Sequence, residues 1–355
     1  MIRLAKPWIG EDEQRAVASV LETGQLVQGA LVAQFEQAVA ALVGRTHGVA
    51  VSSGTGALQL AATALGIQPG AEVLCPALSW PSPAHALKLA GAQVRFVDVD
   101  PEEWNSSAEA LSAAVTPETK AAVVIDQFGN PAQNAEILEA LGDLPLIEDA
   151  ACGLGSRFIN GPCGSLGAIS CLSFHPRKII TTGEGGMCLT DDDAIARRLR
   201  ILRDHGRHGT KFIEPAGNHR MTDLAAALGI AQIQRLDDIV TRRRALAKKY
   251  TEGLGDLVQL QSTREGASSN YQTLGVVLPT SYTRSTVLEG LTERDIEAGA
   301  LSYAMHKVGS LADSTAILPE TERIAGHGIA LPLYPQMRDS EVDQVIRAMH
   351  EVLDG

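Results

Sequence analysis

From Gly48 to Thr190 short apolar runs alternate with stretches of helical character, and few architectures accommodate that order. Val49-Ala50-Val51 is followed by a helix over about Thr55 to Leu65, then by a strand at Glu72 to Cys75 and a helix at Ser82 to Ala90. Val94 to Val97, Ala121 to Ile125, Leu144 to Ile147, Ile169 to Phe174 and Met187 to Thr190 are further strands, with another helix over about Ala132 to Leu141. Strands interleaved with helices predict an α/β fold: a mostly parallel sheet covered by helices on both faces. Ligands of such sheets sit beyond the carboxyl ends of the strands, so the loops that follow strands are where chemistry is expected.

The flanks read differently. Residues 1–44 predict two helices joined by a Gly-rich turn between Thr23 and Gly29. Thr222 to Tyr250 predicts one long helical stretch carrying Leu224, Leu228, Ile230, Ile233, Leu236 and Ile239. After it the pattern changes: Tyr271 to Leu278 is strand-like, and Ser340 to Leu353 is an amphipathic helix with Ser340 as its cap and Asp343 three residues on. The expected division is a large domain over 1–239, including the N-terminal helical segment, and a smaller C-terminal α+β domain over 240–355.

Charge and composition narrow the partners. A formal net charge of −12 speaks against nucleic acid and against an anionic membrane, since both attract basic surfaces. Arginines cluster at Arg197, Arg198, Arg200, Arg203 and Arg207 and again at Arg242 to Arg244, and are read as the polar faces of two helices. The five cysteines, Cys75, Cys152, Cys163, Cys171 and Cys188, are odd in number and have no zinc-like spacing, which predicts reduced thiols, no metal, and a cytoplasmic protein. The N-terminus has no apolar signal core, and no run approaches membrane-spanning length.

Three loops carry candidate chemistry. Ser52-Ser53-Gly54-Thr55-Gly56 lies between a strand and a helix, where backbone N–H groups bind phosphate and small residues let an anion approach; a tight turn with a Ser or Thr cap has the same appearance. It lacks the third glycine of the dinucleotide fingerprint, so an NAD site is set aside. Glu148-Asp149 places an acidic pair at the end of a buried strand. A carboxylate there can hold the proton of a pyridine ring, or equally serve as a helix cap or structural ion pair. Lys178 follows Asp149 by 29 residues, after a strand that ends near Phe174 and a proline that cannot continue it. A partly desolvated lysine can form a Schiff base and move protons, although a surface Arg-Lys pair is the usual context for such a residue. Ser173 is placed to offer its hydroxyl to a phosphate.

The order of these elements is more telling than any one of them. With Val97 to Pro101, Ile147 to Cys152, Ser173 to Lys178, Gly183 to Gly186, Asn218 to Met221 and Leu331 to Pro335, the chain resembles the DegT/DnrJ/EryC1/StrS sugar aminotransferases over nearly its whole length. Those are fold type I (aspartate aminotransferase-like) enzymes that use pyridoxal 5′-phosphate (PLP), with pyridoxamine phosphate as intermediate. The resemblance implies a mostly parallel seven-stranded-type central sheet. It implies Lys178 as the Schiff-base lysine and Asp149 as the partner of the pyridine nitrogen. Ser173, Thr55 and the amide of Gly56 would be phosphate ligands, and Trp80 would stack on the cofactor ring. Asn218 is expected to reach the partner subunit's cofactor in a homodimer, with Arg220 facing the same site. Cys152 stands where many relatives have glutamine and is expected to touch the cofactor, a thiol being the weaker donor.

The implied activity is transfer of an amino group from glutamate or glutamine to a keto-sugar. The acceptor is expected to be nucleotide-linked, inositol-type ketones being a further class, and the pathways are those of amino-sugar, polysaccharide or antibiotic biosynthesis. A sugar dehydratase of the same family is the first alternative, but such relatives carry histidine where this chain has Lys178. A non-catalytic regulatory protein on the same fold is the second, and the intact set of Asp149, Ser173 and Lys178 argues against it.

Overall fold

The computed structural model describes residues 1–354. Helices α1 (Glu11–Thr23) and α2 (Ala30–Val43) come first, each closed by a left-handed glycine, Gly24 and Gly44. The α/β block follows: β1 (His47–Val51), α3 (Gly54–Ala64), β2 (Glu72–Pro76), β3 (Leu78–Ser79), α4 (Ser82–Leu89), β4 (Gln93–Val97), α5 (Ala108–Ala114), β5 (Thr119–Ile125), α6 (Asn134–Leu141), β6 (Leu146–Asp149), β7 (Ile169–Ser173) and β8 (Gly186–Thr190). Seven of these strands form one sheet in the order β1-β8-β7-β6-β5-β2-β4. β8 runs antiparallel to β1 and β7, and the other neighbours are parallel, so the sheet is mostly parallel as expected.

The strands are short and apolar because both faces are covered. On one face Val49, Val51, Val73, Cys75, Ile147 and Cys171 pack against α3, whose Ala57, Ala61 and Ala62 are fully buried. Alanines let the helix axis approach the sheet closely, which brings the first turn of α3 to the edge of the crevice. On the other face Ala50, Leu172 and Leu189 pack against α2, and Leu74, Ala122 and Val124 pack near α5 and α6.

The remainder comprises α7 (Asp193–Arg203), the hairpin of β9 (Arg207–His208) and β10 (Lys211–Phe212), α8 (Asp223–Ile233), α9 (Leu236–Leu254), β11 (Gln259–Leu260), β12 (Leu274–Val277), α10 (Arg284–Thr292), β13 (Gly299–Ala300), β14 (Tyr303–Ala304), α11 (Pro319–His327), β15 (Gly328–Leu331) and α12 (Asp339–Asp354). A second sheet, β11-β12-β15-β13, shares a core with the later half of α9 and with α10 and α12; Ile2 from the N-terminus joins it. β14 does not belong to that sheet: it pairs with β3, with Tyr303 opposite Ser79.

Several sequence expectations change. The helical stretch after Thr222 is two helices, broken at Gln234-Arg235, where Gln232 and Arg235 bond to Trp8 O, ahead of α1, and to Asp12 and Glu13 in its first turn. The last helix starts at Asp339, so Ser340 lies inside its first turn, and the Glu341 carboxylate accepts the Arg338 N–H at 2.7 Å instead. The arginine clusters are not merely polar helix faces. Arg203 is buried against Glu36 and Ala50 O, Arg243 is buried on the carbonyls of Tyr271 and Gln272, and Arg207 lies on β9.

Candidate active site

The carboxyl ends of β6 and β7 and the first turn of α3 converge. Asp149 is the last residue of β6 and is 4% exposed. Its Oδ1 accepts the Ala151 N–H at 3.1 Å. Burial pushes its carboxyl up from the ordinary 3.8 to about 6, and the Lys178 charge draws it back. A buried carboxylate with one backbone donor has capacity for a further cationic N–H.

Lys178 sits in the loop after β7, in a turn closed by its own N–H on His175 O at 2.8 Å. Its Nζ lies 3.2 Å from Cys152 Sγ. Cys152 belongs to the loop after β6, so the lysine reaches across from one strand end to the next. That loop is pinned from the far part of the chain: Asn270 Nδ2 donates to Cys152 O and to Leu154 O, both at 2.8 Å. Asn270 gave no sequence signal, being over a hundred residues away in a segment without a motif.

The Ser53 loop is pressed against the ends of β7 and β8. A Cβ at Gly54 would fall 2.7 Å from Ser173 Cβ, and one at Gly186 would fall 2.4 Å from Ser53 O. Only glycine permits that approach. Ser53 caps α3 by accepting the Gly56 N–H on Oγ at 3.0 Å. The Gly56 N–H, expected to face a phosphate, is also the donor to this cap. The amides of Gly54 and Thr55, at the same end of the helix, have no intrahelical acceptor. The Thr55 hydroxyl bonds the Ser82 hydroxyl at the start of α4. In sequence Ser82 looks like any helix-start residue, and only the fold brings it to Thr55.

Trp80 precedes α4 and is 65% exposed, with its ring edge-to-face on Tyr303 at 5.4 Å between centroids. Asn218 and Arg220 lie beside the end of β1: Ser52 N–H donates to His219 O at 2.9 Å, and Arg220 bridges Val51. Asn218 is exposed, its Oδ1 accepting the Arg220 N–H at 3.3 Å, while the Arg220 guanidinium is held by Asp204. Arg220 is therefore already paired within its own chain.

This arrangement fits PLP. A helix N-terminus with free amides stands beside the Ser173 hydroxyl for a phosphate, a buried carboxylate awaits a ring N–H, and a half-buried lysine lies between the two strand ends. Among the described residues no helix is long and apolar enough to cross a membrane, and all five cysteines are unpaired.

Comparison with known proteins agrees. The family model of the DegT/DnrJ/EryC1/StrS aminotransferase family matches residues 7–350. The crystal structure of the aminotransferase TlmJ from Streptoalloteichus hindustanus is 32% identical with a TM-score of 0.94, over 100% of this chain and 99% of that one. A DegT DnrJ EryC1 StrS aminotransferase from Brucella abortus is 27% identical, covering 97% of this chain and 96% of that chain, with a TM-score of 0.92. GDP-4-keto-6-deoxymannose-3-dehydratase (ColD), in a mutant with bound GDP-perosamine, is 25% identical over 98% of this chain and 100% of that chain, with a TM-score of 0.92. The chain is a PLP-dependent enzyme of fold type I and belongs to the DegT/DnrJ/EryC1/StrS aminotransferase family.

Proposed function

We propose that this enzyme moves an amino group from glutamate or glutamine to the keto group of a nucleotide-linked sugar, and that it works as a homodimer. The observation that carries the reading is Lys178, placed on the loop after β7 with its Nζ 3.2 Å from Cys152 Sγ and its charge acting on buried Asp149. ColD, a similar protein, is a GDP-4-keto-6-deoxymannose-3-dehydratase, so similarity of fold alone does not separate the two activities. The lysine does, because a group that both anchors the cofactor and moves protons suits amino transfer.

Bound PLP supplies a carbonyl to take up an amine and a cationic ring to spread the electron pair left when a proton is removed. The chain supplies the rest. Gly54 N–H, Thr55 N–H and the Ser173 hydroxyl would hold the phosphate end, and the Ser82 hydroxyl fixes that of Thr55. Asp149 would keep the ring nitrogen protonated, since an opposite charge in a dry site favours the cationic form. Lys178 Nζ would carry the proton from one carbon to the other, and Cys152 would limit where that amine swings. Trp80 would cover the open side of the ring. Asn218 would serve the partner subunit's site, for which its exposure at the end of β1 leaves it available.

The test is a half-reaction. Glutamate or glutamine alone should convert the protein-bound cofactor to pyridoxamine phosphate with one equivalent of 2-oxo acid released, and borohydride should tag Lys178 and no other lysine. If no amino acid produces the conversion, amino transfer is excluded. Water elimination from a nucleotide sugar by enzyme preloaded with pyridoxamine phosphate would instead identify a dehydratase.

A further inference from the structure

On the face of β6 opposite Asp149 lies a second carboxyl pair that amino transfer does not use. Asp126 follows β5, Glu148 immediately precedes Asp149, and both are 0% exposed. Their oxygens and the Cys163 sulfur lie within 4.8 Å of one another. Two ionised carboxylates so placed would carry both the desolvation cost and their mutual repulsion, so the pair must retain a proton.

Hydrogen-bond accounting locates it. Glu148 Oε1 accepts the Gly164 N–H at 2.8 Å, and Oε2 accepts the Leu166 N–H at 2.8 Å and the Ser170 hydroxyl at 2.6 Å. Behind Ser170 stands a cation: Arg45 Nη2 is 3.3 Å from that hydroxyl oxygen and also donates to Leu166 O and Gly167 O. Three donors and a nearby guanidinium hold Glu148 as the anion. Asp126 receives a single backbone donor, Ala132 N–H on Oδ1 at 3.1 Å. Its Oδ2 has no hydrogen-bond partner and lies against Gly153, where a Cβ would come within 2.6 Å. An oxygen without a donor, in a dry site facing a carboxylate, is where an O–H belongs. Cys163 is kept as a thiol by burial and by the two carboxyls, so it does not compete for the anionic role; as a weak S–H donor toward Asp126 it favours that carboxylate less than three N–H and O–H donors favour Glu148.

We infer that Asp126 is the protonated member of a carboxyl–carboxylate pair with Glu148, and that it acts as a positioning residue for Asp149. The backbone adds a direct link, since Asp126 N–H donates to Asp149 O at 3.1 Å, and the pair therefore clamps the ends of β5 and β6 together. It also limits the charge behind Asp149 to a single negative. Burial and the Glu148 charge push the Asp126 carboxyl well above its usual range, as this placement requires. Burial raises Glu148 too, but its three donors draw it back. Lys178 acts on Asp149 from the crevice side, leaving Arg45 as the cation on the Glu148 side.

Two isosteric variants of the purified enzyme distinguish the two protonation assignments, and neither readout uses turnover, so the result stands apart from the amino-transfer reading. Asp126→Asn can donate from Nδ2 to Glu148 and should fold. Its melting temperature relative to wild type should climb as pH rises above about 4, because only wild type must keep, on folding, a proton that the unfolded chain releases. Glu148→Gln keeps one carbonyl oxygen but sets its amide NH₂ against either the Gly164 or the Leu166 N–H, which sit on different oxygens, and should be destabilised at every pH. Infrared spectra of wild type at pH 8 should show the carbonyl band of a protonated carboxylic acid that Asp126→Asn lacks. The inference is overturned if wild type has no such band, if the band survives in Asp126→Asn, or if Asp126→Asn melts as early as Glu148→Gln or does not fold. One equivalent of a divalent metal per chain, found by elemental analysis, would also overturn it.

Discussion

Asp149 should make the cofactor-free protein less stable at neutral pH than in mild acid, and Asp149→Asn should remove its share of that dependence. The carboxyl is 4% exposed and its pKa is pushed from 3.8 to about 6 by burial, even with the Lys178 charge opposing the shift. A raised folded-state pKa means that the native protein binds the proton more tightly than the unfolded chain. The corresponding stability is fully present below about pH 4 and is lost as pH rises through about 6. A rise of that size is worth about 3 kcal/mol. The asparagine variant lacks the titration, so the stability gap between variant and wild type should widen by about 3 kcal/mol from pH 4 to pH 8. Because the quantity is a change in the gap, any fixed cost of the asparagine cancels. Urea unfolding of both apoproteins at several pH values measures it, and parallel stability curves would refute the reasoning. With PLP bound the preference reverses: the pyridine nitrogen needs the charge, so Asp149→Asn should bind the cofactor through its phosphate contacts yet slow proton removal from the donor severely.

Further outcomes follow from packing. Gly54→Ala sets a methyl 2.7 Å from Ser173 Cβ, so the phosphate loop must lift; overpacking of this kind costs about 1–3 kcal/mol, and PLP affinity measured by titration should fall by tenfold or more. Arg203→Met strands buried Glu36, which also accepts the Ala50 N–H at 2.8 Å, and should cost about 3–5 kcal/mol in denaturant unfolding, only partly restored when Glu36→Leu is added, since that change leaves the Ala50 N–H without an acceptor. Mixed Asn218→Ala and Lys178→Ala subunits should regain activity that neither homodimer has, because one site of each heterodimer is intact; no recovery would place Asn218 in its own chain's site.

Much of the site was legible locally. Ser53-Gly54-Thr55, Glu148-Asp149 and Ser173 to Lys178 each lie within a few residues of a strand end, and short-range signals of apolar run, glycine and proline mark those ends. Partners drawn from remote segments were not legible. Ser82 on Thr55, Tyr303 on Trp80 and Asn270 on the Cys152 loop are ordinary residues until the chain is folded.

The sequence by itself determined the alternation of strands and helices, hence a mostly parallel sheet, and the order of a Ser-Gly-Thr loop, an acid and a lysine along it. Those follow from periodicity and from residue types that few local conformations tolerate. Only the tertiary structure decided that β8 runs against its neighbours, that the helix after Thr222 breaks at Arg235, and that Arg203 and Arg243 are buried. It also decided that the Gly56 amide goes to the Ser53 cap and that Glu148, beside Asp149, faces away from the crevice toward Asp126. Burial and long-range pairing set these outcomes. A charged side chain is exposed or paired according to what the rest of the chain brings to it, and no window of neighbouring residues contains that information.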